Sequence, residues 1–305
     1  MPFRRDHLRY FVAVADEGQV TRASARLHIA QPALSQAIAH LEEDVGFKLF
    51  ERHARGVSLT SAGATFLEKA RRVVEAEEMV AHAAESLARV AQGTIEFGYL
   101  GLAPAMTNPD LIEAFTEAQP SIELDLHELP FPSLPTAAWL ADVDVAIASR
   151  PTADEGVWML PLTAVPRVVL APRTHALAAR STVTVADVLD ETFIGFHESV
   201  DPAWAGFWSL DDHRNGPPPA LTLARSANAQ ERFAMIASDS GITTMPECHA
   251  AVIAKVLPTV VAIPLLDADP AVLTLIGRED RRNVNVEALI EVARRTASQT
   301  ALAAK

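Results

Sequence analysis

The chain has 305 residues, 49% of them hydrophobic and 21% charged, with a formal net charge of -13. That length allows two or three compact units with cores of their own, and no run approaches the roughly 20 apolar residues that span a bilayer. One cysteine, Cys248, excludes an internal disulfide. The start, "MPFRRDHLRYF", has neither an apolar stretch nor a small-residue cleavage site, so the expected location is cytoplasmic, with no membrane partner. Charge is unevenly spread: residues 1–72 hold 11 Lys/Arg against 8 Asp/Glu, and residues 73–305 hold 15 against 31. A mildly basic head on an acidic body can still bind nucleic acid.

In chain order, "LRYFVAVADEG" predicts a helix with Leu8, Phe11, Val12 and Ala15 on one face, closed by Gly18. Thr21 is the expected N-cap of a short helix through Leu27. After "HIA" a third helix begins at Gln31, with Pro32 in its first turn, where a missing N–H costs nothing. Its inward face is Leu34, Ile38 and Leu41, with Val45 near its end, and Gly46 stops it. Three short helices with so tight a second turn describe a helix-turn-helix. "FKLFERHARGVSLT" reads as two short strands around "HARG", a wing.

Ser61 opens a proline-free stretch that runs to Gly93, a helix of about 45 Å at about 1.5 Å per residue. Phe66, Ala70, Val73, Val80, Ala84 and Leu87 form a seam suited to another helix, interrupted by Glu77. Packing on its own domain is the other reading of that seam. Beyond Gly93, strands and helices alternate. "TIEFGYL", "IELDLHEL" and "VDVAIAS" are strands, and "NPDLIEAFTEAQP" and "LPTAAWLAD" are helical. Such alternation predicts a parallel sheet covered by helices on both faces. A second unit of the same kind begins near Pro166. Pro161/Pro166 and Pro264/Pro270 flank two expected crossings between the units, and two lobes so joined leave a cleft for a small molecule.

"LRYFVAVADEGQVTRASARLHIAQPALSQAIAHLEEDVGFKLFER" and "VSLTSAGATFL" together resemble the LysR-type transcriptional regulators. Gln31, Pro32, Ser35, Leu41, Glu42, Gly46, Leu49, Phe50, Arg52, Leu59, Thr60 and Gly63 stand in register with that family. "VDVAIAS", "THALA" and "SGITTMP" match it more loosely. The resemblance implies an N-terminal all-α winged helix-turn-helix plus a long linker helix, and a C-terminal α/β two-lobed effector domain resembling type II periplasmic-binding proteins. The expected divisions are a DNA-binding domain over 1–60, a dimerising linker helix over 61–92 and an effector domain over 93–305. Lobe I would comprise 93–165 and 265–305, and lobe II 166–264. Implied partners are promoter or operator DNA, a small-molecule effector and further copies of the chain, as a homodimer and commonly a dimer of dimers. RNA polymerase is a further candidate partner.

A recognition helix sets its N-terminal side chains on base edges in the major groove. The Gln31 amide can pair bidentately with adenine, and Pro32 offers an apolar face to a thymine methyl. Ser35 and Gln36 lie a turn further on, and His40 follows toward the backbone. Thr21 and Arg22 suit a phosphate at a helix start. Arg55 at the wing tip, and Arg52 before it, suit the minor groove or its phosphates. Gln36 and His40 also read as ordinary solvated side chains, and Arg52 as an ion-pair partner of Glu42 or Glu43. Ala30 replaces the small hydroxyl residue usual in the family, so a capping bond is missing, and Ala37 stands where Gln is common.

In the family, effectors are held by loops after the first two strands of the effector domain and by the facing lobe. Carried onto this chain, those positions are Gly101, Leu102, Phe131 and Ser133, faced by Phe196, His197, Ser226 and Thr244. The loop "LGLAPAM" has no hydroxyl or charge, which points to a rather apolar ligand or one gripped by few polar groups. Asp239 occupies a position where glycine is usual. No cofactor is expected. Neighbouring side chains on a helix diverge by about 100°, so Cys248 and His249 make a poor nucleophile and base. No metal-ligand spacing or phosphate-cradling glycine loop occurs. The expectation is a non-enzymatic regulator in which ligand alters lobe geometry and the linker helices carry the change to the heads. The rival readings are a solute-binding transport module and a cytoplasmic enzyme with an accessory helical domain.

Overall fold

The computed structural model describes residues 4–303, apart from 54, 55, 153, 215 and 219. The chain divides into two compact units, Met1–Glu85 and Ser86–Lys305.

In the first unit, α1 (Arg5–Glu17), α2 (Val20–Arg26) and α3 (Gln31–Val45) precede a hairpin of β1 (Phe50–His53) and β2 (Gly56–Leu59). Their shared core includes Leu8, Phe11, Val14, Ala23, Leu34, Ile38, Leu41 and Leu49. The buried face of α1 is turned from the predicted one. Val12 and Ala15 are only half-buried, while Ala13 and Val14 are buried. Phe11 sets this rotation by packing against Phe50 and Phe66, with ring centroids 5.3 and 5.6 Å away. Gly18 and Gly46 end α1 and α3 at φ 63 and φ 82, left-handed conformations that cost glycine nothing. The hairpin is seated on the turn after α1: Val57 N–H donates to Gly18 C=O at 2.9 Å. At Gly56 (φ 142) a Cβ would lie 2.4 Å from that same carbonyl oxygen, so no other residue fits there without displacing the wing.

The long helix α4 (Ser61–Gln92) runs 32 residues, as the proline-free stretch predicts. Phe66, Ala70 and Val73 pack on the head's core. Further along, Val80 and Leu87 are each 71% exposed, although both belong to the predicted seam.

The second unit continues with β3 (Thr94–Tyr99), α5 (Pro104–Thr107), α6 (Pro109–Ala118), β4 (Glu123–Glu128), α7 (Thr136–Trp139), β5 (Val145–Ser149), β6 (Val157–Val165) and β7 (Arg167–Pro172). It then runs through β8 (Thr192–Phe196), α8 (Pro202–Ser209), β9 (Ala220–Ser226), α9 (Ala229–Ala237), β10 (Thr243–Pro246) and α10 (Glu247–Val256). It closes with β11 (Val260–Pro264), β12 (Ala271–Arg278) and α11 (Val284–Ala303). A five-stranded sheet in the order β4-β3-β5-β12-β6 buries Ile95, Phe97, Val145, Ile147 and Leu275 against α6 and α11. A three-stranded sheet, β10-β7-β11, and the parallel pair β8-β9 form the facing lobe.

The sheets are mixed, which corrects the expectation of an all-parallel arrangement. β3 runs parallel to β4 and β5, but β12 is antiparallel to β5 and β6, and β7 is antiparallel to β10 and β11. Parallel neighbours require a long crossover, usually a helix. β12 enters the first sheet directly from the other lobe, with no helix to turn it round. Pro166 separates β6 from β7, and residues 265–270 lead from β11 to β12. Pro161 is not at a crossing. It lies within edge strand β6 where the register with β12 shifts, a place where a missing N–H is tolerated. β6 and α8 were not among the elements expected from the sequence, and "LPTAAWLAD" yields only the single turn of α7.

Candidate DNA-reading face and effector cavity

On α3, Leu34, Ala37, Ile38 and Leu41 are buried, while Gln31, Pro32, Gln36 and His40 are exposed and Ser35 is half-buried. The polar candidates therefore share one outer face of a helix whose other face is locked into the head's core. Ala37 faces inward, so the glutamine usual in the family would have to be accommodated differently here. No side chain caps α3 at Ala30, as its alanine dictates. Thr21 is not a cap: α2 begins at Val20, with Gln19 in the N-cap position, and Thr21 lies inside the first turn. Thr21 and Arg22 are nonetheless exposed beside that helix start. Among the described residues Arg22 makes no ion pair, whereas Arg26 is held by Asp16 and Glu17. Arg55, and the side chain of Arg52, lie outside the described residues.

The buried carboxylate of Glu42 gathers its donors from the start of the wing. It accepts from Lys48 Nζ at 2.6 Å and from the backbone N–H of Leu49 at 2.9 Å and Phe50 at 3.3 Å, so it caps the entry to the wing. Burial alone would raise the Glu42 pKa, but these donors lower it overall. A carboxyl lowered in the folded state adds stability above its unfolded pKa, and loses it as pH falls through the folded value. We therefore expect Glu42→Gln to cost about 1.5 kcal/mol at pH 7. Denaturant unfolding should show this gap closing by pH 3, and a gap independent of pH would contradict the assignment.

In the second unit, the two lobes enclose a cavity of about 70 Å³, several times the ~10–15 Å³ that one water needs. Lobe I supplies Leu100, Leu102, Thr107, Asn108, Phe131, Ser149 and Leu273. Lobe II supplies Phe196, Trp204, Trp208, Ala229, Arg232, Phe233, Thr244 and His249. Inter-lobe hydrogen bonds frame it: Trp204 Nε1 donates to Ser149 C=O at 2.8 Å, and Phe131 N–H to Ala227 C=O at 2.8 Å. Thr152 Oγ1 also donates to Asp201. Gly101 (φ 71) sits behind the wall, where a Cβ would lie 2.4 Å from Ala229 Cβ.

Of the residues carried over from the family pattern, Leu102, Phe131, Phe196 and Thr244 line this cavity together. The Thr244 hydroxyl is already committed, donating to Trp208 C=O at 2.6 Å. Gly101, Ser133, His197 and Ser226 are not among the residues that line it. His197 follows Phe196 at the end of β8, so strand alternation turns it outward, where Nδ1 meets Ser199 Oγ at 2.9 Å. Ser226 is wholly buried and donates to Gly195 C=O within the β8-β9 pair. Ser133 lies beyond the wall because the loop is pinned through Phe131 and through Pro132, whose C=O accepts from Asp201 N–H.

Sequence reasoning missed Arg232, Phe233, Trp204 and Trp208. The signals were there: Ala229, Arg232 and Ile236 share a helical face, and Trp204, Phe207 and Trp208 recur at spacings of three and four after Asp201-Pro202. Asp239 adopts φ 61, the left-handed conformation that explains glycine at this position in the family.

Two further groups depart from expectation. Cys248 Sγ and His249 Nδ1 approach to 3.5 Å rather than diverging. Burial nevertheless raises the thiol pKa and lowers the imidazole to about 4, so both stay neutral near pH 7 and no thiolate forms. Glu96, Asp125 and His127 bring ligand-type atoms within 4.8 Å of one another, a proximity hidden from sequence spacing because it arises across the parallel β3-β4 pairing. His127 is hydrogen-bonded to Glu96 there.

Residues 5–64 match the family model described as bacterial regulatory helix-turn-helix protein, lysR family, and residues 88–298 match the LysR substrate binding domain. The chain belongs to the LysR family of transcriptional regulators. This LysR-family chain is 33% identical to the HTH-type transcriptional regulator TdfR of Cupriavidus pinatubonensis (strain JMP 134 / LMG 1197), over 98% of its own length and 100% of the relative's. Its fold resembles the crystal structure of CbnR, a LysR family transcriptional regulator, with TM-score 0.61, 22% identity and coverage of 97% and 99% of the two chains. Full-length CbnR complexed with its target DNA matches at TM-score 0.53 and 24% identity, over 97% of this chain and 100% of that one. The LysR-family chain is thus a DNA-binding transcriptional regulator carrying an effector-binding domain. Among its described residues, no helix is long and apolar enough to cross a membrane.

Proposed function

We propose that the regulator reads operator DNA with Gln31, Pro32, Ser35, Gln36 and His40, positioned by phosphate contacts from Thr21, Arg22, Arg52 and Arg55. The observation that carries this reading is the division of α3 into an apolar inner face and a polar outer face that begins at its N-terminus. Its effector enters the cavity lined by Leu102, Phe131, Phe196 and Thr244, and the apolar wall favours a ligand gripped by few polar groups. The working divisions are 1–60 for DNA binding, 61–92 for the linker helix and 93–305 for effector binding, with lobe I over 93–165 and 265–305 and lobe II over 166–264. Without catalytic chemistry of its own, the protein acts in the cytoplasm. Footprinting on the DNA upstream of its own gene, with and without small molecules, tests this. Protection of paired half-sites that shifts with one compound is expected; no sequence-specific protection under any condition defeats the reading.

The α4 helix serves as the dimerisation element, and two such dimers form the tetramer. Exposed Val80 and Leu87 support this, because burying each such side chain contributes about 1.5–3 kcal/mol. The double substitution Val80→Glu with Leu87→Glu should raise the dimer dissociation constant at least a hundredfold in analytical ultracentrifugation. An unchanged constant places the interface elsewhere.

A further inference from the structure

Away from the cavity, three ligand-type side chains meet on the five-stranded sheet. β3 and β4 run parallel, with Glu96 opposite Asp125 and Gly98 opposite His127. Side chains alternate between the two faces of a strand, so Glu123, Asp125 and His127 share one face of β4, beside Thr94, Glu96 and Gly98 of β3. Ile95 and Phe97 belong to the opposite face and enter the core. The shared face thus carries carboxylates and an imidazole, and neither lysine nor arginine. His127 Nε2 is hydrogen-bonded to Glu96 Oε2 and lies 3.7 Å from Asp125 Oδ2. Ligand-type atoms of Glu96, Asp125 and His127 all fall within 4.8 Å of one another.

Among the described residues, neither Glu96 nor Asp125 pairs with a lysine or arginine, and His127 is the basic group that reaches both. Arg89, at the end of α4, is committed to Asp144. Like charges directly opposite on neighbouring strands repel, and a cation held between them removes that cost. The group is also firmly held on its inner side and open on its outer side. Glu96 lies within the sheet, where its N–H donates to Asp144 Oδ2 at 3.1 Å and its C=O accepts from Asp144 N–H at 2.9 Å. The side chains of Glu96, Asp125 and His127 are 21%, 60% and 41% exposed, so solvent reaches all three.

We infer that Glu96, Asp125 and His127 bind one divalent transition-metal ion of the zinc class, held by the His127 imidazole nitrogen and an oxygen from each carboxylate. Metal–ligand bonds of about 2.0–2.2 Å bring such atoms closer together than they stand here, and rotation of the exposed Asp125 side chain closes the set. An imidazole joined by carboxylates suits zinc and its transition-metal neighbours, whereas magnesium and calcium favour oxygen ligands throughout. Three protein ligands leave a coordination position to water. None of the three residues lines the effector cavity, so the site stands independently of the ligand bound there.

Titration calorimetry of zinc chloride into the tag-free full-length protein tests the site. One equivalent of zinc per chain is expected, bound at least about tenfold more tightly than magnesium or calcium. His127→Gln and Asp125→Asn each remove a ligand and should weaken zinc binding at least about tenfold. Both positions are partly exposed, so these variants should keep the wild-type circular dichroism spectrum. Glu96→Gln should weaken zinc binding likewise, and if it does not fold, the other two variants decide. Cys248→Ser should leave zinc binding unchanged. Zinc binding that is absent, that magnesium equals, or that survives both His127→Gln and Asp125→Asn overturns the inference. So does zinc binding that Cys248→Ser abolishes, which would place the ion at Cys248 and His249 instead.

Discussion

Replacing Asp144 with alanine should destabilise the effector-binding unit by about 3–5 kcal/mol. Asp144 is 0% exposed. Its carboxylate accepts from Arg89 Nη2 at 2.9 Å and Nε at 3.2 Å, and from Glu96 N–H at 3.1 Å. Burial lowers the pKa of Arg281, and the Asp144 charge partly offsets that cost. Removing the carboxylate therefore leaves Arg89 without its paired acceptor, Arg281 without the stronger of its two compensating charges and a backbone N–H without its partner. Breaking one side of a buried pair is costly because the other side stays behind, uncompensated. Asp144→Asn keeps the shape and one acceptor, so it should cost less than the alanine variant. Guanidinium unfolding followed by circular dichroism measures both. A loss below about 1 kcal/mol for Asp144→Ala would falsify a structural role for the pair. Arg89 lies near the end of α4 and Asp144 at the start of β5, so this pair anchors the helix end to the sheet.

Gln31→Ala should weaken specific operator binding by about 1–3 kcal/mol, roughly 5- to 150-fold, and relax selection at one base pair. Its side chain is exposed at the first turn of α3, where a recognition helix meets base edges. Binding to unrelated DNA should hardly change, because no charge is removed. Arg22→Ala should behave in the opposite way. It should weaken binding to all sequences and reduce the slope of log affinity against log salt by about 0.9. Mobility shifts at three or more salt concentrations, on the operator and on unrelated DNA, separate the two. Should Gln31→Ala weaken both DNAs alike, or Arg22→Ala leave the salt slope untouched, the respective roles are wrong.

Most of the head is legible in its sequence. Its signals are local: a glycine closing each of α1 and α3, proline in a first turn, apolar residues at helical spacing and a hairpin around "HARG". Even so, the rotation of α1 and the true start of α2 escaped, since both depend on how Phe11 packs and on which residue leaves extended backbone first. The effector unit was legible as two lobes, but its strand directions were not. Alternating strands and helices look alike whether a strand returns through a helix or arrives from a neighbouring lobe.

The cavity shows the same division more sharply. Leu102, Phe131, Phe196 and Thr244 meet at the cavity, whereas His197, the next residue after Phe196, and Ser133, two residues beyond Phe131, lie off it. One residue along a strand reverses the direction of a side chain, and a pinned loop moves the next group out of reach. Arg232 could be placed on a buried helix face, but its lack of a counter-charge could not be read at all. An absent partner is a property of everything that surrounds a group, not of the group's own segment.

By itself, then, the amino-acid order determined which stretches form the helix-turn-helix, the long helix and the lobes, because caps, turns and periodicity act over a few residues. Only the tertiary structure decided that Asp144 meets Arg89, that Glu42 caps the wing, and that the buried Arg232 finds only neutral acceptors. These are contacts between residues distant in the chain, or the lack of them, and they exist only once the backbone has brought those residues to one place.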